Sequence, residues 1–144
     1  MGYIPHKKTM AHGILFHSQN EADYYSYLLE QPNVSGVVRQ PQYTLINEFG
    51  VTCSHCLGEG KVPSPKTGKP IKCKRCNSTG KKRRQAWTYT ADFLVIYDDG
   101  REEVVDVKGG FVNERFPLVK KMFEWVYEKE LIVVTKTEKG WVRK

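Results

Sequence analysis

Two carboxylates and an ammonium interrupt a stretch that otherwise reads as a buried hairpin. In "YTADFLVIYDDGREEVVDVKGG", residues 89–110, Asp92, Asp106 and Lys108 break up runs of Phe, Leu, Val and Ile. A turn centred on Asp99 in "DDG" would set Asp92 opposite Asp106, with Lys108 two residues further on and therefore on the same face. The other face would carry Phe93, Val95, Val105 and Val107. Directly opposed like charges destabilise a sheet, and burial raises the cost. A hard divalent cation between the two acids would offset the repulsion. Mg²⁺ (or Mn²⁺) takes one or two carboxylates plus waters and phosphate oxygens. Lys108 could then orient or deprotonate an attacking water, or stabilise charge at a phosphorus. Two structural readings compete: a buried network in which Lys108 neutralises one aspartate, and solvated strand ends. Gly109 and Gly110, directly after Lys108, leave the backbone open to a bulky ligand and favour a site.

A second candidate centre is sulfur-based. "CSHC" at 53–56 and "CKRC" at 73–76 give the spacing of a structural zinc site. Cys53, Cys56, Cys73 and Cys76 can supply four thiolates to a tetrahedral Zn²⁺, which leaves no open position for water. Such a metal would be structural. "CSHCLGEG" and the looser "CKRCNSTG" resemble the Gly-rich cysteine repeats of the DnaJ zinc domain. The competing readings are a redox pair or two disulfides, or His55 in place of one cysteine. His6, His12 and His17 show no metal spacing and are read as surface residues or phosphate contacts.

These groups need elements to position them. Ser18 with Glu21 three residues on reads as a capping box, and Ala22, Tyr25, Leu28 and Leu29 recur at helical spacing until Pro32. Val37 to Ile46 is strand-like, with Pro41 marking an edge or bulge. Residues 48–86 are rich in Gly, Pro, Lys and Cys and too poor in apolar residues to bury a core, so they read as an insertion within a single domain spanning 1–144. A hairpin follows at about 87–97 and 102–108. Phe116, Val119, Met122, Phe123, Val126 and Tyr127 then share a helical face, and Leu118 and Trp125 widen it enough to suggest a second neighbour. Leu131 to Thr135 reads as a buried strand, and "EKGWV" as a turn and a short strand. A helix between two strands implies a right-handed crossover and a parallel pair.

The 144 residues carry 23 Lys plus Arg against 16 Asp plus Glu, for a net charge of +7. An anionic partner is expected, nucleic acid first, although solubility alone accounts for some excess. The run Lys81, Lys82, Arg83 and Arg84 concentrates the charge beside the cysteines and is read as a DNA-binding segment. The apolar runs are too short to span a membrane, and the start lacks an apolar leader core, so a cytoplasmic location is expected.

"TAD", thirteen residues and then "DVK" resembles the PD-(D/E)XK nuclease signature, with Ala91 at the proline position and Asp106 as the second acid. "SQNE", "RQPQYTL", "YTADFLVIYDDG" and "VVDVKGG" are similar to small phage endonucleases, including the endonuclease I-type Holliday-junction resolvases. The resemblance covers about 100 residues and implies an α/β, restriction-endonuclease-like αβββαβ core with a small zinc-ribbon-like insertion. It implies Asp92 and Asp106 as metal ligands, Lys108 as the catalytic lysine and Glu21 as a helix-borne acid reaching the metal, with Gln40 in a supporting position. The capping box is a rival account of Glu21. The activity implied is Mg²⁺-dependent hydrolysis of DNA in the host cytoplasm, leaving a 5′-phosphate. Branched DNA is the leading substrate, and a homodimer follows if that substrate is a junction. The alternative is a non-catalytic zinc-knuckle module that binds nucleic acid or protein.

Overall fold

The computed structural model describes residues 8–109 and 113–144. His6 and Gly110 lie outside them. The described chain is mixed α/β, mostly sheet with two helices, and divides into two compact units. One takes the chain up to Tyr43 and again from Tyr89 onwards; the other is Thr44–Thr88.

The first unit opens with a hairpin of β1 (Thr9–Ala11) and β2 (Ile14–Phe16), turned by His12 and Gly13 at positive φ. Helix α1 (Gln19–Glu30) follows, with the Ser18 hydroxyl accepting the Glu21 N–H at 3.2 Å and Gln31 ending it before Pro32. Strand β3 (Val34–Arg39) begins three residues earlier than the apolar pattern suggested. It is also separate from β4 (Gln42–Ile46), because Gln40, at φ 51, and Pro41 turn the chain between them.

The strands of the second unit are β5 (Phe49–Thr52), β6 (Lys61–Pro63), β7 (Pro70–Lys72) and β8 (Lys81–Arg84). β9 (Trp87–Thr90) pairs with β4. The segment expected as one strand over 87–97 is therefore two. Ala91 and Asp92 interrupt it because their backbone turns to a different partner: the Ala91 N–H donates to Pro41 O at 3.0 Å and the Gln40 N–H to Asp92 O at 2.9 Å.

β10 (Phe93–Tyr97) and β11 (Glu102–Lys108) form the hairpin. Phe93 pairs with Val105 and Leu94 with Val104, the register that the "DDG" turn implied. Helix α2 (Phe116–Tyr127), with Pro117 in its first turn, crosses over to β12 (Leu131–Thr137), which lies parallel to β11. β13 (Gly140–Arg143) closes the edge of a five-stranded sheet of order β13-β12-β11-β10-β3. Phe16, Ala22, Tyr24 and Leu28 pack on Phe93, Val95, Val105 and Val107, so α1 covers the face that the alternation had made apolar. The rings of Tyr43, Tyr89, Phe123 and Tyr127 form a second cluster. Leu118 and Trp125 do not find the second neighbour expected of them and are 60% and 76% exposed.

Candidate functional site

Asp106 lies near the end of β11, among Val104, Val105 and Val107, and is the buried charged side chain of the described residues, at 5% exposure. Three groups satisfy or confront it. Lys108 Nζ lies 3.0 Å from its Oδ1. The Tyr89 hydroxyl donates to its Oδ2. Asp92, which the hairpin register brings opposite, shares the same enclosure. The Val107 N–H donates to Asp92 Oδ2 at 2.7 Å, yet burial, then the charges of Asp106 and Glu21, push the Asp92 carboxyl up to about 8.

Glu21 reaches this cluster from the first turn of α1. Burial raises its carboxyl above the ordinary value, His17 opposes that shift, and Asp106 adds to it. The Glu21 charge in turn raises the Asp92 carboxyl. The rival roles of Glu21 thus fall to different atoms. Its backbone N–H serves the Ser18 cap, and its side chain turns to the acids.

Glu21, Asp92, Asp106 and Lys108 therefore come together from one helix and two neighbouring strand ends. Three carboxylates face one ammonium, and that ammonium is paired with Asp106. Burial first, and then the neighbouring acids, account for the high Asp92 value. The donors are all oxygens, the set a hard divalent cation prefers. Among the described residues the three acids do not close within 4.8 Å as a trio, unlike the cysteines, so a cation here would take only some of them directly and fill its shell with water or phosphate oxygens.

Four supporting residues carry no site role in the sequence, or only a weakly marked one. Tyr89 falls in the strand expected over 87–97, and its hydroxyl fixes the Asp106 carboxylate. His17, read as a surface residue or phosphate contact, is exposed as expected, and it also sits beside Glu21 and is held by Gln40 Nε2 at 3.1 Å from its Nδ1. Gln40 is thus tied to the site twice, through His17 and through its N–H bond to the Asp92 carbonyl. Phe116, the first residue of α2, places its ring 3.9 Å from Lys108 Nζ, a cation–π contact that helps to fix the ammonium. The Tyr89–Asp106 and Gln40–His17 contacts join residues 17 and 23 positions apart, beyond the reach of any local pattern. The Cβ position of Gly109 lies 3.5 Å from Asn20 Nδ2, so the start of α1 packs close over the end of β11.

In the second unit all four cysteines are buried and reduced, and their sulfurs lie within 4.8 Å of one another. Cys53 and Cys73 Sγ are 3.9 Å apart, and Cys56 and Cys76 Sγ 3.7 Å. Disulfides need about 2 Å. A tetrahedron of sulfurs at about 2.3 Å from a zinc has edges of about 3.8 Å, so the cluster fits a zinc site. The Gly60 and Gly80 N–H groups donate to Cys56 and Cys76 Sγ at 3.2 and 3.3 Å, as thiolate ligands require. The N–H groups of Cys56 and then His55 draw the Cys53 thiol down to about 6. His55 does not belong to the sulfur cluster.

The basic run 81–84 is strand β8, paired with β5 along its whole length. Its side chains alternate, so Lys81 and Arg83 point to one face and Lys82 and Arg84 to the other. Arg83 donates to both carboxylate oxygens of Glu48, at 2.8 and 2.9 Å.

No helix among the described residues is long and apolar enough to cross a membrane. A family model described as "Protein of unknown function (DUF1064)" matches residues 3–140, nearly the whole chain, and the protein belongs to that family. No curated protein and no solved structure matches the chain.

Proposed function

We propose that this member of the DUF1064 family is a metal-dependent DNA endonuclease of the PD-(D/E)XK type, hydrolysing phosphodiester bonds. The observation that carries the reading is the gathering of Asp92 and Glu21 about the buried Asp106–Lys108 pair, with Asp92 driven up to about 8 by burial and then by the charges of Asp106 and Glu21. The order α1, β3, β10, β11, α2, β12 agrees with the αβββαβ core that the sequence resemblance implies.

Asp92 and Asp106 would hold Mg²⁺ or Mn²⁺, with Glu21 reaching it directly or through water. The cation would polarise the scissile phosphate and acidify a bound water. Lys108, fixed by Asp106 and the Phe116 ring, would orient that water or meet the negative charge growing on the phosphoryl oxygens. Tyr89 would hold the Asp106 carboxylate in position. The four cysteines would bind one structural Zn²⁺ and let a segment too polar to fold alone do so. Branched DNA, cut by a homodimer in the cytoplasm of a phage-infected host, is the substrate that the resemblance to junction resolvases favours.

One observation favours a second reading. The Lys108–Asp106 pair at 3.0 Å is what a purely structural ion pair would show, in a non-catalytic module that binds nucleic acid or protein. That pair leaves Asp92 without a counter-charge of its own, which a structural network has no reason to retain.

The test is cleavage of duplex, flap and four-way DNA by the purified protein with and without Mg²⁺. Asp106→Ala should lose cleavage by at least about a thousandfold while still binding DNA. A wild-type protein that binds these DNAs without cutting them under any divalent cation would leave the non-catalytic module as the answer.

A further inference from the structure

The Thr44–Thr88 unit is an internal repeat with a period of 20 residues, and only one copy is charged. Cys53, Cys56, Gly60 and Lys61 recur as Cys73, Cys76, Gly80 and Lys81. The backbone repeats with them. The Cys53 N–H donates to Gly80 O and the Cys73 N–H to Gly60 O, both at 2.9 Å. Leu57 and Asn77 share positive φ, at 54 and 55. Each copy runs strand, knuckle, strand, and the copies pair reciprocally, β5 with β8 and β6 with β7.

The side chains do not follow. Residues 49–64 carry one Lys and one Glu, whereas residues 69–84 carry eight Lys or Arg and no acid. Ser54, His55, Glu59 and Val62 are matched by Lys74, Arg75, Thr79 and Lys82. A neutral copy builds the same backbone, so the fold does not require the cations. Their mutual repulsion costs stability, which points to a ligand that offsets it. The rest of the chain supplies no such attraction: outside 44–88 there are 13 Lys plus Arg against 14 Asp plus Glu.

The charged copy also has a shape. Arg75, Asn77, Thr79 and the β8 residues Lys81–Arg84 line an open groove of about 430 Å³ beside the second knuckle. No aromatic ring lines it, so it offers bases no stacking platform, and its donors suit phosphate oxygens. We infer that this groove is a phosphate-backbone site for duplex DNA, carried by the second knuckle and β8 alone, with the Arg83 guanidinium occupied by Glu48. The inference shares the DNA partner of the proposed function but does not depend on the hydrolytic centre.

Binding of the full-length protein to a labelled 20-base-pair duplex, followed by fluorescence anisotropy across a salt series without chelator or added Mg²⁺, tests it. Each lost phosphate contact should lower the slope of log K against log salt by about 0.9. Replacing Arg75, Lys81, Lys82 and Arg84 together by Ser should therefore lower it by about 3 to 4. Lys61→Ser, in the neutral copy, should leave it unchanged. Glu48→Gln should tighten binding severalfold by releasing Arg83. Zinc content reports whether each variant keeps its fold. If the fourfold variant loses zinc, Lys82→Ser and Arg84→Ser singly should each lower the slope by about 0.9. An unchanged slope, an equal loss in Lys61→Ser, failure of the wild type to bind the duplex, or equally tight binding of polyglutamate would overturn the assignment. Binding is read here without turnover, so absence of cleavage by the wild type would count against the hydrolytic reading and not against this one.

Discussion

Asp92 holds the tension of the acid cluster. Its carboxyl lies at about 8 because burial and two neighbouring acids disfavour its charge. In the unfolded chain it would titrate near 3.8. Between those values the folded state binds the extra proton, so stability falls as pH rises through the window. Asp92→Asn keeps an oxygen to accept the Val107 N–H and removes the charge. Its melting temperature should exceed that of the wild type by a margin that widens from about pH 4 to about pH 8, amounting to several kcal/mol at the upper end. Added Mg²⁺ should narrow the margin by stabilising the wild type alone. Cleavage should be lost. Thermal unfolding across pH, with and without Mg²⁺, reads all of this. A variant less stable than the wild type at pH 8 would mean that the Asp92 charge is structural.

At the scale of elements, the cysteine knuckles depend on two close backbone approaches. A Cβ on Gly60 would lie 2.5 Å from Ser78 O, and one on Gly80 2.3 Å from Gly58 O. Both glycines also have positive φ, at 77 and 76. Gly60→Ala or Gly80→Ala should each pull a knuckle away from its sulfurs and reduce zinc retention to a small fraction of one ion per chain. Gly68 also has positive φ, 71, but open space around it, so Gly68→Ala should cost only about 1 kcal/mol and keep the metal. Elemental analysis of the three proteins separates the close approach from mere backbone preference.

For the molecule as a whole, the division into two units puts the net positive charge in one of them and leaves the other nearly balanced. The 44–88 segment owes its core to four cysteines with Val62 packed against them, whereas the other unit has an apolar core of its own. Removing zinc by chelation should therefore abolish amide protection within 44–88 while β10, β11 and β12 stay protected. Hydrogen exchange followed by mass spectrometry checks this directly. Cooperative loss of protection in both regions would show that the sheet needs the metal unit to fold.

Much of the local structure was legible in the sequence because it is fixed by neighbours in the chain. Ser18 caps α1, the "DDG" turn sets the β10–β11 register, and the two Cys-x2-Cys pairs meet as their spacing implies. Each follows from steric or hydrogen-bonding rules acting over a few residues, or from ligand types that have few other uses. Tertiary structure decided what depends on distant partners. The strand expected over 87–97 breaks at Asp92 because the backbone of Gln40 and Pro41, some fifty residues away, claims its hydrogen bonds. The "KKRR" run has no apolar alternation, and only its pairing with β5 makes it a strand and divides its charges between two faces. Tyr89 reaches Asp106, and Gln40 reaches His17, through contacts across the fold, and no periodicity in a single chain records which side chains the packing will bring together.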